Sequence, residues 1–565
     1  MISRALVRLA LAALLSGCGA PANDDDSGAN DDDVAVDDDD SGDDDDAAND
    51  DDAADDDDTT PSSWRSELFP EDWEPTFSGS DGAFLHDFSY AGYGRSERAL
   101  PDVSGWTSFD VVAQGADPTG ATDSTTAIQA AIDLAGVAGG RVDFPAGTFR
   151  VDDLLTVTAS GVVLVGVGEA SRIQFTRLEG MTGRGHITFS GALSAGADLP
   201  LVADGANRSH VVRVSDASSL EAGDQVDLGW TITPEFVTEH EMDAFWEVSN
   251  GQWRAFFRRE VVTVDVSSTP HSVTLDVPLR YDALTRDGAS LREVTGYLTE
   301  VGIQSLAVAT AGEPADAWSI DRSHAVLMQS VADAWVSELT SFEAPSPATD
   351  GDHLASGGIK LLDSKRVTVQ GCNLARPQNR GGGGNGYLYE VSRSSDILFA
   401  DSVGTGGRHN FIQNWDFGTS GVVWLRTTST EGRALTGRGG FGTVGASEFH
   451  HSLAMGNLID DSVTDDAWKA VNRRTWSSGA GHTATGSVFW NLRGTGTVTS
   501  FQYGLGYVIG TGSDLDVVTG LDQGGLFAEA SATAPEDWRE GLGAANTLEP
   551  QSLFEAQLER RLAAQ

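Results

Sequence analysis

The sequence contains little cysteine and methionine. Two Cys and five Met stand among 565 residues, whereas Gly occurs 66 times. One of the two cysteines, Cys18, lies in an apolar N-terminal segment, so no structural disulfide is expected. Scarce Met together with abundant Gly, Thr, Ser and Val indicates many turns and short strands, and argues against a helical protein.

Positive charge is also scarce. The chain has 36 Lys and Arg against 85 Asp and Glu. An acidic segment between residues 24 and 58 holds 21 of these acids, yet residues 59–565 still carry 64 acidic and 34 basic residues. Binding to a phosphate backbone needs clustered Lys and Arg, so nucleic acid is not expected as a partner.

The apolar run at the N-terminus, Leu9–Leu15, is too short to cross a bilayer as a stable helix. It follows two arginines and has the character of the apolar core of a signal peptide. The next residues, Leu15-Ser16-Gly17-Cys18, resemble the lipobox of bacterial lipoproteins, which implies acylation of Cys18. We therefore expect residues 1–18 to be a lipoprotein signal peptide. The mature protein would be attached to the membrane only through its lipid, in the outer membrane or on the surface of a Gram-negative bacterium.

Two segments separate this signal from the folded body. Residues 19–63 consist largely of Asp with Ala, Ser, Gly and Asn, which cannot bury apolar surface and repel one another. They predict a disordered, extended tether. Residues 64–108 are rich in aromatic side chains and predict an N-terminal strap whose rings pack against the body.

An internal repeat indicates a solenoid. The stretch Ser395–Phe399 followed by Arg408 recurs 25 positions later as Ser420–Trp424 followed by Arg433. One short strand per repeat is typical of coils that stack into a solenoid. Stacked coils would place Arg408 and Arg433 in one column, about 4.8 Å apart.

The most informative stretch for the fold begins at Phe109. A strand, a Gly/Asp turn and a short helix with the apolar face Ala127, Ile128, Ala131 and Ile132 are followed by a Gly-Gly turn and a strand ending in Pro145-Ala146-Gly147. This order resembles the start of the pectate-lyase-like superfamily, in which such a helix caps the open N-terminal end of a coil. The resemblance implies an all-β, right-handed parallel β-helix. Lyases, glycosidases, epimerases and phage tailspikes share that fold, so the reaction does not follow from it.

The remaining chain divides by the regularity of its strands. Residues 109–180 start the β-helix, and residues 181–300 predict a β-rich insertion because strand spacing becomes irregular. Regular short strands return in residues 301–530, the predicted main β-helix with a substrate groove. Residues 531–565 predict a capping segment, with an amphipathic helix over the last coil.

Ionisable and aromatic side chains concentrate between residues 350 and 503, where long turn insertions also cluster. Loops that lengthen on one side of a solenoid usually build its binding face. The predicted catalytic residues are Arg408, His409, Glu448, His450 and His451, and the predicted substrate contacts are Tyr389, Glu390, Trp415, Arg433, Arg438 and His482.

Three chemistries could use these groups. Elimination on a uronic acid needs cations to neutralise the carboxylate and a base such as histidine to take the proton. Hydrolysis needs two carboxylates flanking the bond, and the candidates are Glu390, Asp416, Glu431 and Glu448. A metal centre needs converging His and carboxylate ligands, to which Glu448, His450 and His451 could contribute.

The catalytic motifs of the superfamily are not reproduced. Gly481-His482-Thr483 lacks the second Gly of a Gly-His-Gly motif, and Arg376–Arg380 is one residue short of Arg-x-Pro-x-x-Arg. We therefore expect a surface-anchored protein that acts on polysaccharide, with a lyase cleaving an acidic polysaccharide preferred over a glycoside hydrolase. A glycan-binding adhesin without catalytic activity is the alternative from another class. No cofactor is predicted with certainty, although Ca²⁺ could bridge substrate and protein, and the oligomeric state is not predicted.

Overall fold

A computed structural model describes residues 62–246, 249–313, 320–433, 445–519 and 535–565. Cys18, the signal peptide, nearly all of the acidic tether and Arg438 lie outside the described residues. Most strands in the described part are short and pair in parallel with strands of the neighbouring coils. The chain is an all-β, right-handed parallel β-helix. No helix among the described residues is long and apolar enough to cross a membrane.

Two parallel sheets run along the β-helix. Sheet 1 has ten strands: Leu155–Val157, Arg184–Ser190, Ser323–Gln329, Gly357–Leu362, Tyr387–Ser392, His409–Gln413, Ser447–Phe449, Ala467–Ala470, Thr497–Ser500 and Asp516–Val518. Sheet 2 has twenty: Ser108–Asp110, Thr119–Asp123, Gly140–Asp143, Gly147–Val151, Val162–Val165, Ser171–Phe175, Leu298–Thr299, Gly302–Ala309, Val331–Ser341, Lys365–Gln370, Asn373–Ala375, Leu398–Ala400, Val403–Thr405, Val423–Leu425, Thr428–Thr430, Leu458–Asp460, Val463–Thr464, Val488–Leu492, Tyr507–Thr511 and Trp538–Glu540. A small parallel pair, Ala454–Met455 with Ala484–Thr485, completes the coils.

Inward side chains of both sheets form one continuous core. Val, Ile, Leu and aromatic residues from successive coils stack along the axis, which stabilises strands too short to be stable alone. The rings of Tyr389 and Phe411 stack at 4.8 Å with 14° between their planes, and those of Phe399 and Trp424 at 5.9 Å with 7°.

The 25-residue repeat corresponds to one coil. Leu398 pairs with Val423, and Val403 pairs with Thr428. The backbone N–H of Arg433 also donates to the carbonyl of Gly407, which stacks the two arginine positions on each other. Their side chains diverge, because a guanidinium N–H of Arg408 donates to the Gly381 carbonyl while Arg433 pairs with Glu431.

An antiparallel sheet interrupts the coils. Its strands are Ser194–Pro200, Val211–Val214, Gln225–Thr231, Trp253–Asp265, His271–Leu275 and Ser290–Thr295. The antiparallel sheet is shorter than the predicted insertion, residues 181–300. The segment Arg184–Ser190 forms a strand of sheet 1 instead and places Ile187 and Phe189 in the core.

Buried ion pairs fix the antiparallel sheet to the β-helix. Asp396 accepts from Arg259 at 2.9 Å and from Arg280 at 3.1 Å, and all three side chains are at most 2% exposed. A Cβ at Gly421, one coil further on, would lie 2.4 Å from the Asp396 carboxylate. The repeat that begins at Ser395 is thus the place where the insertion docks.

Helices close the ends and one side. Thr125–Ala138 buries Ile128, Ala131 and Ile132 against the first coil, as its periodicity predicts. The other helices are Pro234–Glu239, the short Trp476–Gly479 and the C-terminal Leu553–Ala563. The contacts of the C-terminal helix with the described residues lie beside the coils, whereas the sequence predicts a helix over the last coil. The helix lies along the side of the coils, because the Asp460 carboxylate accepts from its first backbone N–H groups and its apolar face meets the aromatic strap.

Candidate functional site

The outward face of sheet 1 carries a column of charged side chains. Lys360 pairs with Glu390, Glu390 with Ile412, Ile412 with Glu448, and Glu448 with Lys469. Successive residues of a strand point to opposite faces, so these side chains point away from the core that their neighbours fill. Two clusters form on this column.

The Glu390 cluster consists of Glu390, Arg322, Lys360 and Asn414. The carboxylate accepts from Arg322 at 2.7 Å, Lys360 at 2.9 Å and Asn414 at 3.0 Å, and Glu390 is 0% exposed. Burial alone would raise the pKa of Glu390, but Arg322 and Lys360 hold it well below its usual value. Glu390 is therefore a buried counter-ion, which corrects its prediction as a substrate contact.

The Glu448 cluster consists of Glu448, His409, His450 and Arg473. Nδ1 of His450 is hydrogen-bonded to Oε1 of Glu448, and Nε2 of His409 lies 3.5 Å from the same oxygen. Arg473 donates to the other carboxylate oxygen at 2.9 Å. Burial lowers the pKa of both histidines, to about 4 for His409. The strands thus bring His409, Glu448 and His450 next to one another.

Tyr387 lies beside both histidines at the start of its strand. Its ring centroid is 4.8 Å from that of His409 and 6.4 Å from that of His450, and the Arg322 guanidinium lies 5.8 Å from it. Burial raises the pKa of Tyr387, while Arg408 and Arg322 act in the opposite direction. Tyr387 thus brings a phenol hydroxyl to the junction of the two clusters.

The Glu448 cluster also has the composition of a metal site. One ligand atom each from His409, Glu448 and His450 lies within 4.8 Å of the others, and all three residues are buried. Two imidazoles and one carboxylate are the donor set of several zinc centres. Predicted ligand His451 is not among them, since its Nε2 is bonded to the carbonyl of Ser477.

An aromatic rim borders the cluster on the side of the insertion. Trp415 is 43% exposed, and its ring lies 4.4 Å from that of His451. Arg254 of the antiparallel sheet pairs with Asp416 at 2.8 Å, so the insertion forms one wall of this small cleft. The rim places an exposed ring next to the cluster, where it could stack on a sugar.

A second cleft lies at the turn before the strand His409–Gln413. It has a volume of about 410 Å³ and is lined by Asp352, Asn373, Ala375, Arg376, Arg380, Thr405, Gly406, Glu431 and Arg433. Three guanidinium groups in one cleft are unusual on so acidic a chain. We call it the arginine cleft; it contains Arg433, and Gly386 brings Arg380 next to Arg408.

Two further predicted contacts are in the wrong place for substrate. Tyr389 is 0% exposed, stacks in the core and donates its hydroxyl to the Val403 carbonyl at 2.8 Å. His482 is 2% exposed and packs on Tyr503 at 5.4 Å, away from Glu448, and burial lowers its pKa to about 4. Both side chains belong to the packing of the coils.

Tyr387, Arg322 and Arg473 are site residues that the sequence-based prediction lacks. Arg473 resembles a solvated cation by sequence, yet it bonds a buried carboxylate. The sequence holds no signal for Tyr387, because a residue two positions before the inward-facing Tyr389 is expected on the same face of the strand.

The fold belongs to the pectate-lyase-like parallel β-helices. Residues 108–196 match the family model described as rhamnogalacturonase A/epimerase, pectate lyase-like. Similar solved structures include the tailspike protein gp49 of Pseudomonas phage LKA1, at 12% identity and a TM-score of 0.37, with 72% of this chain and 76% of that chain covered. Another is the mannuronan C-5 epimerase AlgE6 A-module of Azotobacter vinelandii, at 12% identity and a TM-score of 0.29, with 77% and 98% covered. No protein of curated function matches the chain.

Proposed function

We propose that the protein cleaves an acidic polysaccharide by β-elimination at the outward face of sheet 1. The observation that carries the proposal is the position of Tyr387, in ring contact with His409 and flanked by Arg322 and Arg408. The family model that residues 108–196 match is named after a rhamnogalacturonase and an epimerase, which supports a polysaccharide substrate.

In this proposal Tyr387 moves the proton. Its phenolate oxygen takes the proton from C5 of a uronate, and the electron pair forms the C4–C5 double bond as the bond from C4 to the glycosidic oxygen breaks. The leaving oxygen then receives the proton from the Tyr387 hydroxyl, which regenerates the phenolate. Burial raises the pKa of Tyr387, and the positive charges of Arg408 and Arg322 oppose that shift and so stabilise the phenolate. The largely buried surroundings strengthen these charge interactions.

The carboxylates of the site favour elimination over hydrolysis. A hydrolase needs one carboxyl group that holds a proton for the leaving oxygen. Each buried candidate is instead bound by a cation: Glu390 by Arg322 and Lys360, and Glu448 by Arg473. Burial alone would raise the pKa of both carboxyl groups, but these cations hold it well below its usual value, so neither group carries a proton for the leaving oxygen.

A matched pair of variants tests the proposal. Tyr387→Phe and Tyr389→Phe remove the same hydroxyl two residues apart, one at the site and one in the core. After incubation with a panel of acidic and neutral polysaccharides, we expect ultraviolet-absorbing unsaturated products from the wild type. Tyr387→Phe should lower kcat by more than about 100-fold, the usual contribution of an acid–base group. Tyr389→Phe should keep the wild-type rate.

Other outcomes separate the alternatives. Equal rates for Tyr387→Phe and the wild type would remove the phenol from the mechanism. New reducing ends without unsaturated products would indicate a hydrolase. Binding of a polysaccharide without any product would indicate an adhesin.

We also propose that the protein is held at the outer membrane or cell surface by a lipid on Cys18. The lipobox-like sequence Leu15–Cys18 and the acidic tether support this arrangement. Several acyl chains on one residue anchor stably, since each buried methylene contributes about 0.8 kcal/mol. Metabolic labelling with a radioactive fatty acid should mark the wild type. A Cys18→Ser variant that still takes up the label would contradict the proposal.

A further inference from the structure

One ring nitrogen of His409 has no hydrogen-bonding partner among the described residues. Nδ1 is bonded to the carbonyl of Ala446, which only accepts, so Nδ1 carries the ring proton of neutral His409. Nε2 therefore presents a lone pair. It makes no hydrogen bond within the described part of the chain, faces Oε1 of Glu448 at 3.5 Å and is buried, since His409 is only 7% exposed. A buried lone pair opposite a carboxylate oxygen is costly unless a cation lies between them.

The neighbouring histidine can share that cation. Nδ1 of His450 bonds Oε1 of Glu448, and the ligand atoms of His409, Glu448 and His450 lie within 4.8 Å of one another. Zinc binds imidazole nitrogen at about 2.0–2.1 Å and carboxylate oxygen at about 2.0–2.2 Å, so the three atoms need only small shifts to surround it. His450 would take its other tautomer, with the proton on Nε2, and would remain neutral.

The surroundings hold the ligands in the orientation that a metal requires. Metal-binding histidines commonly donate their second ring N–H to a backbone carbonyl, as His409 does to Ala446. Arg473 holds Oε2 of Glu448 and leaves Oε1 for the ion. Glu390, on the same column, offers the contrast: Arg322 and Lys360 together with Asn414 occupy its carboxylate, which leaves no place for a cation.

We propose that His409, Glu448 and His450 bind one divalent transition metal of the zinc class. Two nitrogen donors with one carboxylate select such an ion over Ca²⁺, which prefers oxygen ligands. Three protein ligands leave a coordination position open, as in catalytic zinc sites. The geometry supports the metal site independently of the proposed function. Its use to bind the carboxylate of a uronate rests on the proposed function.

The test uses Co²⁺ and Zn²⁺ on the full chain after treatment with a chelator. The acidic tether will bind divalent cations weakly, so metal content alone is not sufficient. Four-coordinate Co²⁺ with nitrogen ligands gives visible absorption bands that are much stronger than those of Co²⁺ bound by carboxylates and water. We expect one Co²⁺ per chain with these bands, displacement by one Zn²⁺, and a rise in the thermal unfolding temperature.

Variants identify the ligands. His409→Ala and Glu448→Gln should each weaken Zn²⁺ binding by more than about 100-fold, beyond the effect usual for residues that only orient ligands. His353→Ala, at a half-buried histidine bonded to Ser341, is the matched control and should bind normally. Circular dichroism checks that each variant is folded. Unchanged bands and affinity in either folded ligand variant would overturn the proposal.

The two proposals fail in different ways. Specific Zn²⁺ binding without any polysaccharide product would support the metal site and refute the lyase proposal. Cleavage by the chelator-treated protein, together with absence of the Co²⁺ bands, would support the lyase proposal and refute the metal site.

Discussion

Replacing Asp396 by Asn should destabilise the protein strongly, although the change is nearly isosteric. Asp396 is the only carboxylate that bonds both Arg259 and Arg280 among the described residues, and those arginines are 0% exposed. Removing one partner of a buried ion pair typically costs about 3–5 kcal/mol, because the remaining charge stays buried without compensation. Here two guanidinium groups lose their counter-ion, so a loss within that range is expected.

A matched control is available five residues further on. Asp401 pairs with Arg426, but their side chains are 53% and 36% exposed. Exposed pairs contribute about 0–1 kcal/mol, so Asp401→Asn should change stability little. Both aspartates have positive φ, 58° and 50°, a conformation that Asn tolerates well. The comparison therefore isolates the buried charge from backbone effects.

Urea denaturation followed by tryptophan fluorescence measures both variants. The free energy of unfolding should fall by about 3–5 kcal/mol for Asp396→Asn and by less than about 1 kcal/mol for Asp401→Asn. Proteolysis should also cut the antiparallel sheet of Asp396→Asn first, since these arginines fix it to the coils. Equal stability of the two variants would refute the role of Asp396 as the anchor.

Two further predictions concern the C-terminal helix and the rim. Burial raises the pKa of Asp460 from 3.8 to about 7, despite the N–H donors of the C-terminal helix. The folded state therefore binds a proton that the unfolded state has lost, and the free energy of unfolding should fall between about pH 4 and pH 7, by up to about 4 kcal/mol. Asp460→Asn should remove this part of the pH dependence in thermal unfolding at pH 5 and pH 8; an unchanged difference between the two would refute it. Trp415→Ala should raise KM for the polysaccharide with little change in unfolding temperature, because the ring is 43% exposed; an unchanged KM would exclude the ring from substrate binding.

The fold was predictable because its signals are local. The apolar face of the helix Thr125–Ala138 and the 25-residue repeat both lie within short stretches of chain. Each needs only periodicity and turn residues to be recognised. The family resemblance at Phe109–Phe149 then identifies the type of solenoid.

The site was predictable only in part, because it depends on which coils stack. Tyr387 pairs with His409, 22 residues on, Ile412 with Glu448, 36 on, and Glu448 with Lys469, 21 on. Because the coils differ in length, no fixed period in the sequence identifies the residues that pair between neighbouring strands. Arg322 therefore reaches Glu390 from 68 residues away without a sequence signal.

Strand direction explains the error at Tyr389. Tyr387 and Tyr389 have the same parity and would share a face in a regular strand. Tyr387 is the first residue of its strand and follows a turn, so its ring leaves the core and meets His409. The alternation of side chains predicts which face of the sheet a residue occupies within a strand, but it fails at the ends of the strand.

The proposed lyase breaks a glycosidic bond by elimination at the outward face of sheet 1. Digestion of a uronate-containing polysaccharide in water enriched in heavy oxygen tests this proposal most directly, with the products analysed by mass spectrometry. Elimination adds no water, so unsaturated products without heavy oxygen are expected when the reaction is stopped before the reducing end exchanges its oxygen with water. Saturated products with heavy oxygen at the new reducing end would contradict the proposal, because hydrolysis adds water to the broken bond and forms no double bond.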